Sequence, residues 1–209
     1  MLTVIGLKLE IDGIDNVRPG AVVANHSSWL DIFVLYAATP GQFVAKSEVK
    51  RWPGIGVLGR LFGTIFIERN RRQAKHHLNQ LQVPLERGER LIFFPEGTSS
   101  DGQRILSFRT TLFEVFFATS IYPIAYIQPV FIQYLPDEGS DPRIYTLHSG
   151  MKFGRHMLSV LAHGRRGTVA VTIGNTVKVS DYGSRKTLAR SLERSMRSLA
   201  PQPLASRSA

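Results

Sequence analysis

The sequence predicts an α/β fold: one domain with a mainly parallel central sheet flanked by helices. Three observations carry that expectation. Short apolar runs alternate with segments of helical period along the chain, the pattern of a parallel sheet with crossover helices. Two runs, Ala21-Val22-Val23-Ala24 and Leu91-Ile92-Phe93-Phe94, are apolar at every position, as strands covered on both faces must be. The 209 residues contain no internal repeat and no interdomain linker, which suits a single domain at 1–199 followed by a disordered tail at 200–209.

Taken in order, residues 2–12 alternate apolar and polar and read as a first strand, and 21–25 as a second. Pro19-Gly20 punctuates the start of the second strand. A helix follows over 29–38, ended by Thr39-Pro40-Gly41. Residues 42–45 form a third strand, and 46–51 a helical turn stopped at Trp52-Pro53-Gly54. Residues 55–63 are apolar and glycine-spaced, which fits either a closely packed loop or short helix, or a membrane-contacting surface. A strand at 64–67 leads into a helix running to about residue 87, with the cations Arg69, Arg71, Arg72 and Lys75 near its start.

The strand at 91–94 ends in the polar loop 95–102, and a helix over 111–120 turns Phe113, Phe116 and Phe117 inward. Residues 124–134 are an apolar strand that Pro129 should confine to an edge or a bulge, because proline removes a ladder donor. A short helix at 156–163 and a late strand or hairpin around Gly174-Asn175 follow. The last helix, 184–199, sets Leu188, Leu192, Met196 and Leu199 opposite a face of arginines.

Composition narrows the function classes. Cysteine is absent, so disulfides, thiolate metal sites and thiol catalysis are excluded. Lys plus Arg number 26 against 16 acidic residues, a net charge of +10 that points to an anionic partner. The N-terminus has no signal-peptide pattern, and the longest mostly apolar stretch, 55–67, is too short to span a bilayer.

The stretch Asn25-His26-Ser27-Ser28-Trp29-Leu30-Asp31 carries the candidate chemistry. A histidine at a strand end, five residues before a carboxylate, suits a base with its orienter. Ser28-x-x-Asp31 equally fits a capping box that only satisfies helix-start amides, and the two readings are compatible. The phosphate-binding and dinucleotide glycine motifs, H-E-x-x-H and the G-x-S-x-G elbow are all missing. Ser99 and Ser100 are therefore poor nucleophiles, and His26 as a base would act on a substrate hydroxyl. No metal site is expected.

Asn25-His26-x-x-x-x-Asp31, Gly63-Thr64-Ile65-Phe66-Ile67-Glu68-Arg69, Phe94-Pro95-Glu96-Gly97-Thr98 and Gln128-Pro129-Val130 occur in that order. Together they resemble the four blocks of the glycerolipid acyltransferases, the 1-acylglycerol-3-phosphate acyltransferase family. The resemblance implies transfer of an acyl chain from acyl-ACP or acyl-CoA to the free hydroxyl of a lysolipid, with no other cofactor. It makes His26 the general base and Asp31 its orienter, and Arg69 the holder of the acceptor's phosphate. Glu96, Gly97, Thr98 and Ser99 would shape the acceptor side, Glu96 by orienting Arg69 or bonding a hydroxyl. Pro129 and Val130 would shape the acyl side. Ser99 stands where the family has an arginine, so Arg104 or Arg109 is the expected replacement cation. The first acceptor implied is 1-acyl-sn-glycerol-3-phosphate, and the Ser-Ser-Asp-Gly variant also resembles the lyso-ornithine lipid acyltransferase branch.

That reading places the protein peripherally on the cytoplasmic face of a membrane, held by its basic surface and the 55–66 patch, with no nucleic-acid partner. Family members carry an apolar segment ahead of the first block, where here 24 residues precede Asn25. A non-catalytic binder of anionic membranes and a thioesterase are the competing readings.

Overall fold

Among the described residues, eight strands make one sheet in the order β1-β7-β6-β2-β5-β3-β4, with β8 also paired to β6. The structure is a computed structural model of the chain and describes residues 2, 5–52, 55–67, 74–147, 151–163 and 167–201. The strands are β1 (Leu7–Asp12), β2 (Gly20–Ala24), β3 (Gln42–Lys46), β4 (Ile65–Ile67), β5 (Arg90–Phe93), β6 (Tyr126–Pro136), β7 (Gly167–Ile173) and β8 (Val177–Lys178). Every pairing is parallel except those of β6 with β7 and β8. The helices are α1 (Asp31–Ala38), α2 (Ile55–Leu61), α3 (Ala74–Glu86), α4 (Phe153–Ala162) and α5 (Arg185–Leu199).

Strand alternation splits the core in two. Val22 and Ala24 of β2 and Ile92 of β5 pack with Val34 and Leu35 of α1 and Val160 of α4. Ala21, Val23, Leu91 and Phe93 face the other way, toward Leu81 and Leu85 of α3 and Leu188, Leu192 and Met196 of α5. Central strands with apolar side chains on both faces are stable only when covered on both. The result is the α/β sheet flanked by helices that the sequence predicts.

Several expectations are corrected in detail. The first strand begins at Leu7, after a turn in which Gly6 takes φ +74°. The expected helix over 111–120 is a 3₁₀ helix, Thr110–Phe117. Its threonines, valine and phenylalanines lose side-chain freedom in an α-helix, and its inward Phe113 and Phe116 are buried all the same. Residues 174–176 close no hairpin, because β7 and β8 both run antiparallel to β6, one after the other.

Pro129 lies inside a strand paired on both sides and not at an edge, and on the β7–β8 side it stands at an irregularity of the bulge kind expected: three residues, 174–176, lie opposite the two between Ile127 and Val130. The Pro129 carbonyl accepts from the Gly174 N–H at 2.9 Å. A strand residue's N and C=O face the same neighbour. The missing donor therefore points into the gap between β7 and β8, where no ladder partner stands. The start of the helix expected after 67, with Arg69, Arg71 and Arg72, and the tail from 202 lie outside the described residues.

The end of the sheet away from the carboxyl termini of β2 and β5 is locked by a buried arginine. Arg90 Nη1 donates to Asp15 Oδ1 at 2.6 Å and to Thr39 Oγ1 at 3.0 Å, and its Nη2 donates to Gln128 Oε1 at 2.6 Å. A buried charge is tolerable when paired and hydrogen-bonded in this way. Gly20, which opens β2, takes φ +133°, and a Cβ there would sit 1.9 Å from the Tyr126 carbonyl oxygen. Gly20→Ala is expected to lower stability by about 2 kcal/mol or more, read from urea denaturation. An unchanged midpoint would show that the strand start yields without strain.

Candidate active site

The site grows from the point where β2 stops. Its last ladder partner is Val130, opposite Ala24. Asn25 then continues the pairing with its side chain: Nδ2 donates to the Ile132 carbonyl at 2.9 Å, and Oδ1 accepts from the Ile132 N–H at 2.7 Å. An amide side chain here replaces a backbone rung, and the main chain is free to turn away from the sheet.

The turn closes on Asp31, whose side chain has no solvent exposure. Oδ2 accepts from the Ser27 N–H at 2.8 Å and the Ser28 N–H at 2.9 Å, and lies 2.9 Å from His26 Nδ1. Tyr134, on β6, donates its hydroxyl to Oδ1 at 2.7 Å. An oxygen already taking two N–H donors is an acceptor toward the imidazole, so Nδ1 carries the proton and Nε2 the lone pair. Burial, together with the Asp31 charge, holds the Tyr134 phenol well above its ordinary range, so it stays a donor. Asp31 also takes the Ser28 N–H and Ser28 Oγ the Leu30 N–H, but the cap residue of α1 is Leu30, which makes no side-chain cap bond, so the expected capping box does not close.

The imidazole stacks on Phe94 with centroids 4.0 Å apart and planes 14° apart. Phe94 follows β5, the parallel neighbour of β2, so both chain crossings emerge at the same end of the sheet. This is the end at which α/β sheets gather ligands. Glu96, also beyond β5, is buried and spans two segments: Oε1 accepts from the His26 N–H and Oε2 from the Leu106 N–H, each at 2.9 Å. Burial raises its carboxyl to about 7, against the opposing pull of those two backbone donors. Gly97, at φ +73°, turns the chain so that Ser100 N–H reaches the His26 carbonyl at 2.8 Å.

His26 stands at the wall of a cavity of about 310 Å³. Its lining is largely apolar: Trp29, Ile32, Phe33 and Tyr36 from α1 and the turn before it, Phe62 beyond α2, and Phe66 of β4. Gly59 of α2 leaves space there, since a Cβ would come within 2.9 Å of Phe66.

Of the residues singled out in the sequence, His26, Gly97, Thr98 and Ser99 share this cavity, with Asp31 and Glu96 directly behind His26. Arg104 and Arg109 do not line it. Arg104 is exposed, 3.8 Å from Asp101, and Arg109 Nε donates to the Glu96 carbonyl at 3.2 Å, which holds it outside. Pro129 and Val130 sit in the sheet behind the turn, away from the lining. Glu96 accepts backbone N–H on both oxygens, and its expected partner Arg69 lies outside the described residues. Arg69 lies outside the described residues, two positions past Ile67, which does line the cavity. Tyr134 was missed. Its one sequence signal is a phenol in register with Val130 and Ile132 on a core-facing row.

Residues 8–133 match the family described as Acyltransferase. The chain belongs to the acyltransferase family. This acyltransferase is 43% identical to the lyso-ornithine lipid O-acyltransferase of Rhodobacter capsulatus over 94% of this chain and 71% of that protein. It is 35% identical to the protein of that name from Rhizobium meliloti over 98% of this chain and 73% of that one. Its identity to the 1-acyl-sn-glycerol-3-phosphate acyltransferase of Neisseria gonorrhoeae is 40%, over 53% of this chain and 44% of that protein. The crystal structure of PlsC, the 1-acyl-sn-glycerophosphate acyltransferase of Thermotoga maritima, superposes with a TM-score of 0.65 at 24% identity, covering 92% of this chain and 71% of that one. That likeness shows the shared fold. Among the described residues, no helix of the acyltransferase is long and apolar enough to cross a membrane.

The state of Glu96 is directly measurable. Its carboxyl is expected to titrate near 7 by carbon-13 NMR, well above the ordinary 4.5. Because the folded value is raised, the stability this group contributes is fully present below pH 4.5 and lost as pH rises through about 7. A Glu96 resonance titrating near 4.5 would contradict the burial argument.

Proposed function

We propose that this acyltransferase moves an acyl chain from acyl-ACP or acyl-CoA to the hydroxyl of a lysolipid, with lyso-ornithine lipid as the acceptor. One observation carries the chemistry: a histidine oriented by a buried carboxylate at the wall of an apolar cavity. With Nδ1 engaged by Asp31, Nε2 is the nitrogen that takes the acceptor's hydroxyl proton. The alkoxide oxygen forms its bond to the thioester carbonyl carbon as the proton passes to His26. The carbon–sulfur bond then breaks, and the imidazolium returns the proton to the departing thiolate. No acyl-enzyme forms, in keeping with the absence of a nucleophile elbow. The donor's chain lies in the cavity, against the rings of α1 and Phe62.

Two features support lyso-ornithine lipid over 1-acyl-sn-glycerol-3-phosphate, the acceptor the blocks suggest first. The relatives at 35–43% sequence identity along nearly the whole chain carry the lyso-ornithine name, whereas the lysophosphatidate enzyme of Neisseria gonorrhoeae matches in sequence along about half. In addition, Ser99 lines the cavity where the family places an arginine, and neither Arg104 nor Arg109 replaces it. A less cationic loop suits a head group without phosphate. Val57, Leu61 and Phe62 are exposed beside the exposed cations Lys50, Arg51 and Arg60, a combination suited to an anionic lipid surface. Each such cation contributes about 1 kcal/mol near anionic lipid. The protein therefore works peripherally, on the cytoplasmic face where the acyl donors are made.

Purified protein incubated with labelled acyl-ACP or acyl-CoA and a panel of lysolipids, with products resolved by mass, tests this. Acylated lyso-ornithine lipid is the expected product. Lysophosphatidate acylated in its place would overturn the acceptor, and thiol release without any lysolipid would make the protein a hydrolase. His26→Ala is expected to reduce transfer on the order of 10²–10⁴-fold with the fold unchanged by circular dichroism. Gly59→Leu should fill the cavity and lower the preference for long over short acyl donors by about tenfold, since each lost methylene contact removes part of the binding energy. An unaltered chain-length profile would place the acyl chain elsewhere.

A further inference from the structure

We infer that Tyr134 is a positioning residue for the acyl transfer: its hydroxyl, donated to Asp31 Oδ1, keeps Asp31 aimed at the Nδ1 side of His26 and leaves Nε2 to take and return the proton. The inference rests on the His26 mechanism above. It concerns a side chain 103 positions from Asp31 in sequence, brought in by the strand that crosses behind the turn.

Four donors surround one buried carboxylate, Asp31. Two are backbone amides, Ser27 and Ser28, fixed by the shape of the turn, and the third is His26 itself. All three converge on Oδ2. Oδ1 has the Tyr134 hydroxyl, and at 2.7 Å this is the shortest of the four contacts. A buried carboxylate lacking one of its donors binds a proton more tightly, because the neutral form no longer has to compete with that hydrogen bond. When His26 takes the hydroxyl proton, the imidazolium faces Asp31 across 2.9 Å. Should the Nδ1 proton pass on to Asp31, the charge-assisted bond that orients His26 becomes a neutral one, and the Nε2–H left behind is a weaker acid toward the departing thiolate. The Tyr134 donor opposes that passage.

Tyr134 is also held rigidly. Its ring packs 5.8 Å from Tyr145, its strand is paired on both sides, and the Ile132 backbone two residues before it is clasped by Asn25. The same strand thus meets the turn at Asn25 and at Asp31, fixing both ends of the stretch that presents His26. Among the described residues, the other titratable groups on this side are Glu96, on the His26 backbone N–H, and Tyr36, Lys46 and Glu48, in the cavity lining.

The test is the pH profile of kcat/KM for Tyr134→Phe, which keeps the ring and removes only the hydroxyl. The acid limb is expected to move up by about one unit and kcat to fall about tenfold to a hundredfold, the range for losing one hydrogen bond to a charged group. The acceptor's KM stays unchanged. Tyr145→Phe, which alters the neighbouring phenol without touching Asp31, leaves the limb in place. Site-specific 3-fluorotyrosine at 134, a stronger donor of nearly the same size, moves the limb down and covers the case in which Tyr134→Phe fails to fold. An acid limb that does not move in either variant overturns the inference. The two readings fail separately: a His26→Ala protein that still turns over removes the mechanism, whereas an inactive His26→Ala beside an unmoved Tyr134 profile removes only the role of Tyr134.

Discussion

A carboxylate with no solvent exposure has to be given back, by the protein, the hydrogen bonds it loses from water. At Asp31 that demand shapes the surrounding chain. Its oxygens draw in the amides of Ser27 and Ser28, which are available only because the chain has left the β2 ladder. Closing those bonds sets the turn, and the turn sets the point at which α1 begins. The start and direction of α1 in turn decide that Trp29, Ile32, Phe33 and Tyr36 become a cavity wall. An unmet acceptor in this position would be costlier than any single apolar contact nearby.

The sheet contributes by bringing three strands to one place. β2 delivers His26, its parallel neighbour β5 delivers Phe94 and Glu96, and β6 on the other side delivers Tyr134 and the Ile132 backbone. Two carboxylates result, both buried and in opposite circumstances. Asp31 has four donors, three of them on a single oxygen. Glu96 has two, and burial prevails, lifting it to about 7.

What could be read in the sequence was what is local. His26 and Asp31 are five residues apart, and the strand-to-helix turn that joins them leaves its mark in the residues between. The fully apolar β2 and β5 announced a sheet covered on both faces. Tyr134 was hidden because nothing near residue 134 marks what stands opposite it, and the pairing depends on the β2–β6 register. Pro129 was legible only in part, for a related reason. Proline's effect on a ladder depends on which neighbour its nitrogen faces, and the gap it faces is made by residues 174–176. Arg104 and Arg109 have the right charge for the loop, but local geometry sends one to solvent and ties the other to the Glu96 carbonyl.

The Asn25 clasp has a consequence for the timescale on which this site opens. The Ile132 amide proton is held by a side chain, whereas the amides before it in β6 are held by neighbouring backbone. It exchanges with solvent whenever Asn25 lets go, and that needs only a rotation of one side chain and a loosening of the turn, with the sheet intact. Local fluctuation of the turn and global unfolding of the protein are therefore two separate events, each with its own free energy, and a single backbone hydrogen distinguishes them.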